Sequence, residues 1–132
     1  LLFNWDGKNL LYSSAGHEHI LHYHDATKVC DATRSGGVVL GVDYKNFSRL
    51  LKEKNIEWQP GDSIVLFTDG ATEAHNIEKQ MFTLPKLQKT VEKYSNLPVQ
   101  EMVEAILKEI MEFIGEAEQH DDITLVAIKY QK

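Results

Sequence analysis

The sequence is poor in cysteine and proline, with one Cys and three Pro in 132 residues, and it holds no apolar run long enough to span a bilayer. The lone Cys30 excludes an internal disulfide framework and suits a reducing compartment. A signal-peptide pattern is absent as well. Positive charge is also short: 14 Lys and Arg stand against 20 Asp and Glu, a formal net charge of -6. No basic stripe is present, so the electrostatic footprint of a nucleic-acid binder is missing. There is no internal repeat, low-complexity tract or domain boundary. These absences leave one cytoplasmic domain, long enough to bury a real core. The opening Leu1-Leu2-Phe3-Asn4-Trp5 reads as a strand already under way, which predicts a piece cut from a longer protein.

One stretch stands out, from Gly61-Asp62 through Ser63-Ile64-Val65-Leu66-Phe67 to Thr68-Asp69-Gly70. Pro60-Gly61 predicts a tight turn, because proline presets the first central residue and glycine accepts positive φ at the second. Ile64 to Phe67 is apolar at every position, which predicts a strand covered on both faces in the middle of a sheet. Asp69 then falls at the strand's exit, with Gly70 letting the backbone turn away. A carboxylate held there by a buried strand suits a hard cation. An acid in a strand-ending turn is by itself ordinary.

Before that stretch, Leu10 to Ser13 and Ile20 to Tyr23 read as short strands around Ala15-Gly16-His17-Glu18, a hairpin. Asp6-Gly7 reads as another hairpin turn, between Phe3-Asn4-Trp5 and Asn9-Leu10-Leu11. Asp25 to Lys28 is turn-like, Ser35-Gly36-Gly37 suits a loop lying against a site, and Val38 to Val42 is apolar again. Phe47 to Leu51 and Ile56 to Gln59 read as two strands, or the first as one helical turn. After it, Ala71 to His75 reads as a single helical turn or a loop. Leu84, Leu87 and Val91 recur at helical intervals and predict an amphipathic helix from Leu84 to Tyr94. A second helix is predicted from Pro98 to about Ile114, with Val99, Met102, Val103, Ile106, Leu107, Ile110, Phe113 and Ile114 as its apolar stripe and Gly115 as its stop. The stripe reads most simply as core, with a dimer or regulatory contact as the alternative. Glu116 to His120 is a polar linker, and Ile123 to Tyr130 predicts a closing strand. Strands, then two helices, then a strand make an α+β layout with helices packed on antiparallel sheet.

Asp121-Asp122 stands just before that last strand, as Asp69 stands just after an earlier one. If the two strands are antiparallel neighbours, Asp69 and Asp121 meet at one end of the sheet. Three acids brought together repel, and a cation or protonation must offset the repulsion. Carboxylates around Mg²⁺ or Mn²⁺ are the usual solution, and such ions polarise phosphoryl oxygens and acidify water.

The ordered set Gly61-Asp62, Asp69-Gly70-Ala71-Thr72-Glu73-Ala74 and His120-Asp121-Asp122-Ile123-Thr124-Leu125 resembles the metal-dependent serine/threonine protein phosphatases of type 2C. Ala15-Gly16-His17, Leu40-Gly41 and Met81-Phe82 also match the bacterial branch that includes the sporulation stage II and sigma-factor-regulating serine phosphatases. The resemblance implies a sandwich of two antiparallel sheets flanked by helices in an α-β-β-α order, present here as a partial domain. It implies a two-metal Mn²⁺ or Mg²⁺ site at one edge, where activated water attacks a phosphoserine or phosphothreonine without a phosphoenzyme. By motif, Asp69 and Asp121 are the implied metal ligands and catalytic acids. Asp122 is implied to orient Asp121 or waters rather than to bridge metals, and Gly70 to give the backbone room. The branch further implies a phosphorylated protein substrate, such as an anti-sigma-factor antagonist, and an upstream sensory or receiver domain.

The departures matter equally. Nothing in Leu1 to Tyr12 resembles the Gly-Asp segment by which the family supplies a further acid and a backbone carbonyl. Residues 1–132 therefore read as the C-terminal portion of such a domain, and a non-catalytic regulatory or interaction module with the same fold is the alternative function. Glu18-His19 replaces commonly found prolines, and the polar segment from Tyr44 to Asn55 is slightly extended. His17, His19, His22 and His24 invite a zinc reading. On a strand, however, the first two share one face and the last two the other, so the four do not converge and read as surface and hairpin histidines. Cys30 has no histidine partner in a matching motif and does not read as a nucleophile.

Overall fold

The computed structural model describes residues 1–7, 9–42 and 47–131. Among the described residues, seven strands form two antiparallel sheets. β1 (Leu2–Trp5), β2 (Leu10–Ser13) and β5 (Glu53–Ile56) make the smaller, in the order β1-β2-β5. The larger runs β4 (Val29–Arg34), β3 (His19–His24), β6 (Ser63–Phe67), β7 (Leu125–Lys129). Helices α3 (Leu84–Tyr94) and α4 (Val99–Ile114) pack on the larger sheet, and α1 (Phe47–Leu50) and α2 (Asp69–Thr72) are single turns. The expected mixed α+β fold with two antiparallel sheets and helices is present. Among the described residues no helix is long and apolar enough to cross a membrane.

β6 explains why its sequence does not alternate. It lies between β3 and β7, and both of its faces are packed. Ile64 and Leu66 point into the core between the sheets, with Leu10, Tyr12, Ile20, Trp58 and Ile128. Val65 and Phe67 point the other way, into the core under the helices, with Leu21, Phe82, Leu87, Met102 and Ile106. Each large apolar side chain removed from water in this way contributes about 1.5–3 kcal/mol. Trp5, Trp58 and Tyr130 close one end of the sandwich with ring centroids 5.3–5.5 Å apart. On α4, Met102, Ile106, Ile110 and Ile114 are buried, whereas Val99 and Leu107 are exposed, so the core stripe is narrower than the sequence suggested.

Two expectations are corrected. β2 and β3 are both strands, but they do not form a hairpin: β2 pairs with β1 and β5, and β3 with β4 and β6. The intervening segment carries the chain from one sheet to the other, so that Tyr12 and Ile20 meet across the sandwich instead of along a ladder. That crossing is pinned by Ser14 and Ser35. The Ser14 hydroxyl donates to Ser35 Oγ at 2.9 Å, and the Ser35 hydroxyl donates to the His17 carbonyl. A Cβ at Gly37 would overlap the Ser14 carbonyl. The strand placed at Ile56 to Gln59 is instead β5, three residues earlier, where it pairs with β2. Phe47–Leu50 is helical, one of the two readings for that segment. The first residues of the extended polar segment, 44–46, lie outside the described residues.

Other expectations hold. The Asp6-Gly7 turn joins β1 to β2, with the Asp6 carboxylate accepting the Asn9 N–H at 2.7 Å. The Pro60-Gly61 turn is closed by Asp62 N–H donating to the Gln59 carbonyl at 3.0 Å, with Gly61 at φ 101°. Cys30 is buried, its N–H donates to Glu92 and its carbonyl accepts from Gln88. Burial, followed by the Glu92 and Asp31 charges, pushes the thiol up to about 12. It stays neutral at pH 8, and because the unfolded thiol ionises near 9.0, Cys30 costs stability only as the pH climbs through the window between those two values. A thiol reagent at pH 8 is therefore expected to spare the native chain and to label it stoichiometrically in denaturant. Rapid native labelling would contradict this burial.

Candidate functional site

β6 and β7 are antiparallel neighbours, with Phe67 opposite Leu125 and Ser63 opposite Lys129. The exit of β6 therefore lies beside the entrance of β7. Thr68 fastens the two. Its hydroxyl donates to the Asp122 carbonyl at 2.9 Å and accepts the Thr124 N–H at 2.9 Å, and its own N–H donates to the Thr124 carbonyl at 3.2 Å. Asp69 follows immediately and opens α2. Behind it, Gly70 lies buried against the Asp121-Asp122 backbone, where an added Cβ would stand 2.5 Å from the Asp122 carbonyl oxygen. Glycine is needed here for its missing side chain, since the backbones touch.

The structure thus brings Asp69, Gly70, Asp121 and Asp122 to one edge of the larger sheet, as the antiparallel pairing predicts. The three acids are exposed, and among the described residues none of them joins an ion pair. Asp69 Oδ1 accepts the Gly70 N–H at 3.0 Å, and Asp121 Oδ1 accepts the Asp122 N–H at 2.7 Å. Each carboxylate is thereby turned partly toward its own backbone. Among the described residues these acids do not form a set of three whose ligand atoms all lie within 4.8 Å of one another. Their donor chemistry, carboxylate oxygens with no lysine or arginine ion-paired to them among the described residues and a close-packed glycine beside them, fits a hard divalent cation. Next to them is a cavity of about 70 Å³ lined by Gly70, Glu73, His75, His120 and Asp121 among others. The His75 and His120 rings meet edge to face at 5.9 Å, and His75 Nδ1 is buried with no hydrogen-bond partner among the described residues.

A second polar cluster sits at the far end of β6. His22 Nε2 lies 3.0 Å from Asp62 Oδ2, both side chains being buried, and the His24 ring packs on His22 at 3.9 Å between centroids. His22 is therefore not the surface or hairpin histidine that its sequence suggested. Desolvation, assisted by His24, holds its pKa below the ordinary value against the opposing hydrogen bond to Asp62. The sequence signal for this cluster was weak. Asp62 reads as part of a turn, and its partners His22 and Asp25 lie 40 and 37 positions away.

The family model of Stage II sporulation protein E (SpoIIE) matches residues 1–131. The chain belongs to the SpoIIE family. Within that family it is similar to the phosphoserine phosphatase RsbU of Bacillus subtilis, 34% identical over 131 residues, covering 96% of this chain and 36% of RsbU. The SiaA-PP2C domain of Pseudomonas aeruginosa superposes with a TM-score of 0.75 at 19% identity, over 94% of this chain and 47% of that one. The RsbU and RsbW domains of a Mycobacterium tuberculosis protein superpose at 0.76 and 18% identity, over 97% of this chain and 34% of that one. The chain is thus RsbU-like and spans about a third of RsbU's length and half or less of the solved chains. Its fold is part of the SpoIIE-family phosphatase fold, of PP2C type.

Proposed function

We propose that the chain supplies two metal-holding acids, Asp69 and Asp121, to a Mn²⁺- or Mg²⁺-dependent phosphatase that releases phosphate from phosphoserine or phosphothreonine on a signalling protein. The observation that supports this reading is the Thr68 fastening, which puts the Asp69 carboxylate and the Asp121-Asp122 turn at one sheet edge. A cation held there would supply charge to polarise a phosphoryl oxygen and to acidify water. The chain's own residues set the stage for it. Asp122 acts through its backbone N–H, which orients the Asp121 carboxylate, and Gly70 lets the two backbones approach. RsbU's name as a phosphoserine phosphatase favours phosphoserine as the group acted on, and the resemblance to the sigma-factor-regulating branch favours a protein such as an anti-sigma-factor antagonist as its carrier.

The test is to compare release of phosphate from a phosphoserine protein and from a simple aryl phosphate by the full-length protein. Mn²⁺-dependent turnover that favours the phosphoprotein is expected. A preference for the small ester would move the assignment to another phosphohydrolase class. A second reading, a non-catalytic module that keeps the fold, draws on the open arrangement of the three carboxylates. It predicts no turnover of either substrate.

A further inference from the structure

We propose that His22, His24 and Asp62 form a second metal site, separate from Asp69 and Asp121 and suited to Zn²⁺. Among the described residues these three are the set of metal-competent side chains whose ligand atoms all lie within 4.8 Å of one another. A tetrahedral zinc with bonds of about 2.1 Å holds its ligand atoms about 3.4 Å apart. The 3.0 Å between His22 Nε2 and Asp62 Oδ2 is already close to that span. His24 is two residues from His22 on β3, so both imidazoles project from the same face of the strand.

Burial and charge point the same way. Asp62 is only 2% exposed, and its single ion-pair partner among the described residues is His22. Its other contacts are backbone N–H groups, Asp25 at 2.9 Å on Oδ1 and Gln59 at 3.1 Å on Oδ2. A buried carboxylate whose ion-pair partner among the described residues is an imidazole sits in a position that a cation fits, since buried charges are characteristically paired or bound to metals. Asp31 lies 3.2 Å from His24 Nε2 and is the outer carboxylate that fixes that ring, the arrangement common behind metal-binding histidines. Two imidazoles and one carboxylate suit zinc better than the hard cations implied for Asp69 and Asp121. The two sites stand beyond opposite ends of β6, with roughly 23 Å of extended chain between Asp62 and Asp69. The zinc site is independent of the phosphatase reading and does not need it.

The test is a Zn²⁺ titration of the full chain, followed by calorimetry and by the imidazole proton signals of its six histidines. One equivalent is expected to saturate binding and to shift the His22 and His24 signals together, leaving those of His75 and His120 in place. His24→Gln removes a half-exposed ligand while sparing the buried His22–Asp62 bond, and is expected to weaken Zn²⁺ binding at least about tenfold. Asp69→Asn is expected to bind Zn²⁺ as the unaltered chain does. If His24→Gln does not fold, the wild-type histidine signals alone decide. Absence of saturable binding, movement of other histidines instead, or undiminished binding by a folded His24→Gln would overturn the proposal.

Discussion

Asp69→Asn is expected to lower Mn²⁺-dependent phosphate release from a phosphoserine protein by about a thousandfold or more, while the full-length protein keeps its melting temperature to within a few degrees. The size follows from what the charge does. A carboxylate ligand lost from a metal site removes several kcal/mol of transition-state charge stabilisation, and about 4 kcal/mol corresponds to a thousandfold in rate. The small stability effect follows from exposure. Asp69 is at the surface and, among the described residues, in no ion pair, and its side chain accepts the 3.0 Å bond from the Gly70 N–H, which the amide oxygen of Asn can also accept. Activity assays and thermal melts on the same preparation separate the two effects. Wild-type turnover would remove Asp69 from the site.

Gly70→Ala makes the complementary argument, because it changes no charge. Its new methyl group would stand 2.5 Å from the Asp122 carbonyl oxygen and 3.0 Å from its carbon, both backbone atoms with little freedom to retreat. The Asp121-Asp122 turn must shift by something like an ångström, straining the Thr68 bonds to Asp122 and Thr124. A displacement of that size at a reacting centre costs about a hundredfold in rate. The stability change is smaller than the clash alone suggests. Overpacking costs about 1–3 kcal/mol, and alanine regains roughly 1 kcal/mol over glycine within the helical turn. Turnover is therefore expected to fall about a hundredfold with a modest drop in melting temperature. Unchanged turnover would mean that the contact between the two backbones does not matter to the chemistry.

What the sequence revealed and what it hid have physical causes. β6 was legible because a strand buried on both faces cannot alternate, and α3 and α4 because their apolar residues recur at the helical period. The meeting of Asp69 with Asp121-Asp122 followed from one assumption, that two apolar strands pair antiparallel, and the pairing is present. The hairpin at Ala15 to Glu18 failed because strand propensity is local whereas sheet membership is not. Leu10, Tyr12 and Ile20 gain as much by facing one another across the sandwich as by lying in one ladder. Val38 to Val42, apolar in sequence, leaves Val39, Leu40 and Val42 all well exposed, since composition alone does not decide burial. Thr68 and Asp62 were invisible as organising residues. Each acts through partners far along the chain, and neither sits in a pattern that periodicity can detect.

The claim that Asp69 and Asp121 serve one site is tested most directly by Mn²⁺ calorimetry on the full-length protein, comparing Asp69→Asn, Asp121→Asn and the double variant. Ligands acting as a unit are non-additive. Each single change is predicted to weaken Mn²⁺ binding about a hundredfold or more, with little further loss in the double. Wild-type affinity in either single variant, or losses that simply add in the double, would contradict the account.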